Sequence, residues 1–171
     1  MITPKYCHEM SRYNAWQNHS LYTAAAGLTE AARQEDRGAF WGSIHATLSH
    51  LYWGDTVWIA RFDGGPGADV PGSESATAYD WSTLWAGRPK LDARIKAWAG
   101  SLTQEDLAGV IHWYSGFAKS NMHLLKAIAV VQLFNHQTHH RGQVHAMLTA
   151  AGAKPDDTDL QLMPNEAPEW R

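Results

Sequence analysis

The segment LFNHQTHHRGQVHAML, residues 133–148, constrains the fold of this chain more than any other. An α-helix turns about 100° per residue, so His136 and His140 project only about 40° apart. With His136 at zero, Ala129 and Met147 fall at about 20°, Leu133 at about 60° and Val144 at about 80°, by the same helical step. The two histidines therefore lie in the apolar stripe that must face a core. His139 sits on the flank of that stripe and His145 almost opposite it. Buried imidazoles are unfavourable unless hydrogen-bonded or metal-bound. The spacing alone leaves both readings open.

A second segment narrows the choice. In HATLSHLYWGDTVW, residues 45–58, Ser43, Thr47 and Gly54 fall within roughly 60° of His50. Small residues there leave space beside the imidazole. His45 points about 140° away and reads as a surface residue. Facing a His-x-x-x-His pair across a helix bundle, His50 becomes the natural third ligand of one metal ion. The pair resembles the H-E-x-x-H zinc motif, but Gln137 stands where the glutamate would be. A peptidase with a helix-borne base is therefore not supported.

The rest of the chain punctuates cleanly. Apolar residues at helical spacing predict helices over 5–26, closed by Gly27, and over 40–62, ended by Asp63-Gly64-Gly65-Pro66. A third helix fits 81–99, kinked or divided by Pro89. The last runs from Asn121, a natural N-cap, to Ala151 before Gly152. Residues 29–38 read as a short helix or a loop. Residues 63–79 hold four Gly and two Pro and read as a long loop, a kind that is often functional. Thr103-Gln104-Glu105-Asp106 resembles a capping box. Residues 109–120, with Ser115-Gly116 at the turn, read as a small β-hairpin. The tail, with Pro155, Pro164 and Pro168, is expected to lie extended over the surface. The predicted fold is all-α: a four-helix bundle with one long crossover loop and a small β-hairpin, in a single domain over residues 1–171.

Composition excludes several functions. The net charge is −3, and residues 155–171 carry five acids against Arg171 alone, so the remainder is close to neutral. No basic field exists to collect phosphates, and nucleic acid is not an expected partner. The single cysteine, Cys7, excludes an intrachain disulfide framework and a thiolate zinc cage. Neither a secretion leader nor an uninterrupted apolar run of membrane-spanning length is apparent, so a cytoplasmic protein with no membrane contact is expected.

HLYWGDTVWIARF at 50–62 and LFNHQTHHRGQVHAMLTAAG at 133–152, with YNAWQNHSL at 13–21 and DLQLM at 159–163, closely resemble the DinB/YfiT-like family. The likeness spans nearly the whole chain, and HxxHHRGQ is its most specific part. It implies a four-helix bundle of up-down-down-up topology carrying a divalent metal on three histidines. Carried over by motif, those ligands are His50, His136 and His140. The resemblance also implies a homodimer. Some members of the family transfer a low-molecular-weight thiol to electrophiles or use a thiol in isomerisation.

Three neutral imidazoles leave a divalent ion its full charge and an open position. Zn suits three histidines in four-coordination; Ni, Co and Fe also accept imidazole. Such an ion deprotonates a coordinated thiol or lowers the pKa of bound water. No carboxylate falls in the ligand stripe, which weakens a hydrolase in need of a base. Thiol-dependent S-transfer to a small-molecule substrate is thus the leading expectation. Metal-dependent hydrolysis and a non-catalytic metal-binding stress-response module are the alternatives.

Other residues carry lesser expectations. Gln143 reads either as a hydrogen-bond partner of a ligand or bound water, or as an ordinary polar contact. Arg141 and Asp55 point away from the histidine face and read as structural, as in an interhelical ion pair. Asn18 and Tyr13 read as packing or surface residues more than as cavity lining. Cys7 reads as a free thiol without function. His8, His19, His112 and His123 have no second histidine at ligand spacing in the sequence and read as structural or exposed. Trp41, Leu48 and Trp58 form an apolar girdle expected to mark the dimer interface.

Overall fold

The computed structural model describes residues 1–166 and 170; Pro168, part of the tail expectation, lies outside them. Helix α1 (Pro4–Ala26) starts where Thr3 Oγ1 accepts a hydrogen bond from the Tyr6 amide at 3.2 Å. Pro4 fills the first helical position, where no N–H is needed. Gly27 follows its end as expected, in a right-handed conformation. The 29–38 region holds one short helix, α2 (Glu30–Gln34).

Helix α3 (Ile44–Asp63) begins later than the periodicity predicts. Gly42, at φ 79, and its amide bond to the Ala39 carbonyl make a tight turn that interrupts the helical pattern. Ser43 then caps the helix through the Ala46 amide, and Phe40 stays outside it, 78% exposed. The far end is as expected: Gly64 takes the left-handed conformation at φ 72. Helix α4 (Trp81–Ser101) opens on Asp80, whose carboxylate accepts from the Thr83 amide. Pro89 lies inside α4 without dividing it. At Thr103 the capping box is present, the Thr103 amide donating to Asp106 and the Asp106 amide returning to Thr103 Oγ1.

The hairpin is longer than the sequence indicates. Strands β1 (Val110–Ser115) and β2 (Ser120–Leu125) pair antiparallel, from Val110 opposite Leu125 to Ser115 opposite Ser120. Asn121 is therefore a strand residue opposite Tyr114 and does not cap a helix. Helix α5 (Lys126–Ala150) starts only after the ladder ends. The base of the hairpin serves its first turn, with the Lys126 amide donating to the Gly109 carbonyl at 3.0 Å.

The four long helices pack in a ring of contacts: α1 against α4 and α5, and α3 against α4 and α5. They bury two separate apolar clusters. One contains Cys7, Ile59, Leu91, Ile95, Trp98, Val130 and Phe134. The other contains Leu21, Tyr22, Ile44, Leu48, Leu84, Val144 and Leu148. Between them, midway along the helices, lies a buried polar layer of Asn14, Asn18, Asp55, Arg88, Asp92, Gln137 and Arg141. The expected apolar girdle is absent: Leu48 is core, Trp41 lies on His50, and Trp58 packs on Phe62 and Trp113. Those residues give no argument for a dimer.

The tail is strapped to α1. Ser20 Oγ accepts from the Asp156 amide, Gln17 Nε2 donates to the Asp157 carbonyl and the Tyr13 hydroxyl donates to the Thr158 carbonyl, all within 2.7–2.8 Å. Arg12 donates to the carbonyls of Pro164 and Asn165. The path is extended apart from a 3-10 turn at Leu160–Leu162. Among the described residues no helix is long and apolar enough to cross a membrane.

Candidate metal centre

Helices α3 and α5 bring His50, His136 and His140 together. One ring nitrogen from each lies within 4.8 Å of the others, an arrangement that could hold a metal ion. The closest pair is His50 Nε2 and His136 Nε2, 3.2 Å apart. Nitrogens bound to one tetrahedral Zn sit about 3.3 Å apart, so this spacing suits a shared cation. His50 is 9% and His140 6% exposed, and His136 is half-buried.

Two back nitrogens are held. His140 Nδ1 lies 2.8 Å from Gln143 Oε1, an oxygen that can only accept. The proton therefore sits on Nδ1 and the Nε2 lone pair is free. His50 Nδ1 lies 2.8 Å from Ser75 Oγ, whose hydroxyl proton is donated to the Gly72 carbonyl. Ser75 thus accepts from His50 and fixes the same tautomer. Such partners orient metal-binding imidazoles and raise their basicity. His136 Nδ1 is buried with no hydrogen-bond partner. Its ring is placed by sterics instead: a Cβ on Gly54 would lie 2.7 Å from His136 Cε1. The space that Gly54 leaves near His50 is occupied by His136.

Electrostatics favour neutral imidazoles. Burial drives the His50 pKa down to about 3, helped by His136 and His140. Burial likewise takes His140 down to about 4, against the Gln143 hydrogen bond. His136 is lowered by burial too, and the Asp55 charge partly opposes that shift. All three are therefore favoured as neutral imidazoles at neutral pH, with one N–H and one free lone pair, the form that coordinates.

Ser75 and Trp41 also belong to this site; the sequence does not single out Ser75, and it places Trp41 in the apolar girdle instead. Ser75 comes from the long 63–79 loop, which Trp53 Nε1 pins through the Val70 carbonyl and Ser49 through the Ser75 carbonyl. The Gly- and Pro-rich loop was the only signal. Trp41 stacks on His50, ring centroids 4.3 Å apart. Gln143 contacts His140, a member of the cluster.

The other candidates fall elsewhere. His45 is buried, not superficial, and its Nε2 lies 2.9 Å from the Tyr79 carbonyl. Asp55 does form an interhelical ion pair, but with Arg88 at 2.8 Å; Arg141 instead contacts Thr138 and the Tyr13 ring. Asn18 donates to Asp92, away from the cluster. His112 and His123 are opposite one another on the hairpin, a pairing that linear spacing conceals. Cys7 is buried, and burial pushes its thiol up to about 11, so it is a poor nucleophile.

The DinB family model matches residues 1–171. Protein DinB of Bacillus subtilis (strain 168) is 25% identical over 163 residues, covering 92% of each chain. The crystal structure of a DinB-like protein from Bacillus cereus superposes with a TM-score of 0.59 at 18% identity, covering 83% of this chain and 90% of the other. That structural likeness speaks for the fold.

Proposed function

This chain belongs to the DinB family, and we propose that it is a metal-dependent enzyme with a divalent ion on His50, His136 and His140. The observation that carries this reading is the convergence of three neutral imidazoles within 4.8 Å, two of them held in the metal-binding tautomer by Ser75 and Gln143. We read α1, α3, α4 and α5 as a four-helix bundle of up-down-down-up topology in a single domain, and include a homodimer in the proposal.

A divalent ion bound there would supply Lewis acidity, favouring the deprotonated form of a coordinated thiol or water. The protein's own residues prepare that chemistry. Ser75 and Gln143 fix two rings, Gly54 gives the third its place, and Trp41 covers one face of His50. Among the described residues no carboxylate joins the cluster. Asp55 already accepts from Arg88 and Gln137. A reaction that brings its own nucleophile fits this lack of a base. We therefore favour thiol S-transfer to a small electrophile over hydrolysis. An external low-molecular-weight thiol loses its proton to solvent, its sulfur bonds to the electrophilic carbon, and the leaving group departs with its electron pair. Zn or Ni suits the site best, with Co and Fe as further candidates.

Elemental analysis of protein purified without added metal tests the centre. His136→Ala should lose most bound metal, whereas His112→Ala on the hairpin should keep it. Equal metal in both variants would sink the assignment. Adding a small thiol to the Co-loaded protein should produce a sulfur-to-metal charge-transfer band, and an alcohol should not. Without that band hydrolysis or simple binding remains. Sedimentation at micromolar concentration tests the dimer.

A further inference from the structure

The buried polar layer contains one connected set of contacts that links all four long helices. Gln137 Nε2 on α5 donates to Asp55 Oδ1 on α3 at 3.0 Å. Arg88 Nη1 on α4 donates to Asp55 Oδ2 at 2.8 Å, and Arg88 Nη2 pairs with Asp92 Oδ1 at 2.7 Å. Asn18 Nδ2 on α1 donates to that same Asp92 oxygen at 2.8 Å. All five side chains are at least nine-tenths buried.

A layer of this kind is a poor way to gain stability. Removing charges from water offsets most of the attraction between them, and apolar residues of similar volume often serve as well or better. The layers on either side are built of such residues. What a buried polar contact does supply is register, because only one relative height of the helices satisfies it. Here the contact joins α3 and α5, the two helices that carry the histidines. Gln137 is next to His136 in the chain. Asp55 is five residues beyond His50, so it projects about 140° away, outside the histidine cluster.

Taking the three-histidine reading as its basis, we propose that the Gln137–Asp55–Arg88–Asp92–Asn18 chain is a positioning device for the metal centre. It holds α3 and α5 at the height where His50 and His136 meet.

The test uses full-length protein and four variants: Gln137→Ala, Asp55→Asn, His136→Ala and, as a control, Asp63→Asn in the surface pair with Arg94. Zn affinity is measured by competition with a chromophoric chelator, geometry by the visible bands of saturating Co, and folding by urea titration of the metal-free protein. Gln137→Ala and Asp55→Asn should weaken Zn binding about 10–100-fold, the usual effect of losing an outer-shell partner. Gln137→Ala should also shift the Co bands, a change that general loss of stability does not produce. Asp63→Asn should match wild type in both. If folded Gln137→Ala keeps wild-type Zn affinity and Co bands, the chain is merely structural and the proposal is overturned. Should Asp55→Asn fail to fold, Gln137→Ala decides alone, because it leaves both Arg88 contacts intact. Wild-type protein that binds no Zn, or His136→Ala that binds as tightly as wild type, overturns the three-histidine reading and the positioning proposal with it. Failure confined to Gln137→Ala overturns the positioning role alone.

Discussion

His50 and Asp55 are five residues apart on α3, and His136 and Gln137 are adjacent on α5, so the histidine cluster and the ionic layer grow from the same turns. The two regions meet burial in opposite ways. In the cluster, desolvation removes the charge: His50 and His140 are driven down to about 3 and 4 and are held as neutral rings by uncharged partners. In the layer, charge is retained by pairing. Burial works against the Arg88 cation, yet Asp92 and Asp55 hold it above its ordinary range. Burial also raises Asp92, partly offset by Arg88 and Asn18. A core can thus place groups poised for a cation beside groups that already have one.

Perturbing the layer should have the largest effect on folding. Arg88→Met strands two buried carboxylates, and urea titration should show a loss of about 3–5 kcal/mol. His136→Leu in metal-free protein should instead be near neutral, since it removes a buried ring with an unpartnered nitrogen. Comparable losses in both would erase the distinction between the regions.

Acid should act next, and on the cluster first. The unfolded imidazoles titrate near 6.5, whereas the folded ones are depressed, so the unfolded chain binds more protons between those values. Their contribution is therefore complete above about pH 6.5 and is lost as pH falls toward the folded values of about 4 and 3. Metal-free protein should show this slope between pH 6.5 and 5 in urea midpoints, and His50→Gln should flatten it. An unchanged slope would show that these rings are not desolvated.

Smaller changes separate ring placement from ring tautomer. Gly54→Ala should push the His136 ring aside and weaken Zn binding by about 100-fold, the upper end for an outer-shell loss. Its far-UV circular dichroism should stay that of wild type. Ser75→Ala and Gln143→Leu introduce no clash at the rings but remove the hydrogen bonds that hold their back nitrogens. Each should cost about tenfold in Zn affinity, measured by chelator competition.

How much was legible in advance follows from what each feature depends on. His50, His136 and His140 could be read because helical period alone places them, and the helices that carry them formed. Ser75 reaches His50 through loop closure, which no spacing encodes. A helical wheel treats the side of His45 away from the core as solvent; the backbone at Tyr79 covers that side. Asn121 has the chemistry of a cap, but a ladder partner at Tyr114 claims it first. The Asp55 ion pair was expected in kind, but its partner was not, because Arg88 comes from a third helix.

The strap along α1 has a bearing on how the chain is made. Tyr13, Gln17 and Ser20 meet residues 156–158, contacts that span 136 to 145 positions of sequence. On the ribosome α1 keeps its outer polar seam open until residues 156–158, at least 136 positions further on, have been made. At about 5–20 residues per second that interval lasts roughly 7–30 seconds. Truncations that stop short of Asp156 should therefore resemble nascent chains caught in mid-synthesis, with α1 formed but unsealed along that edge.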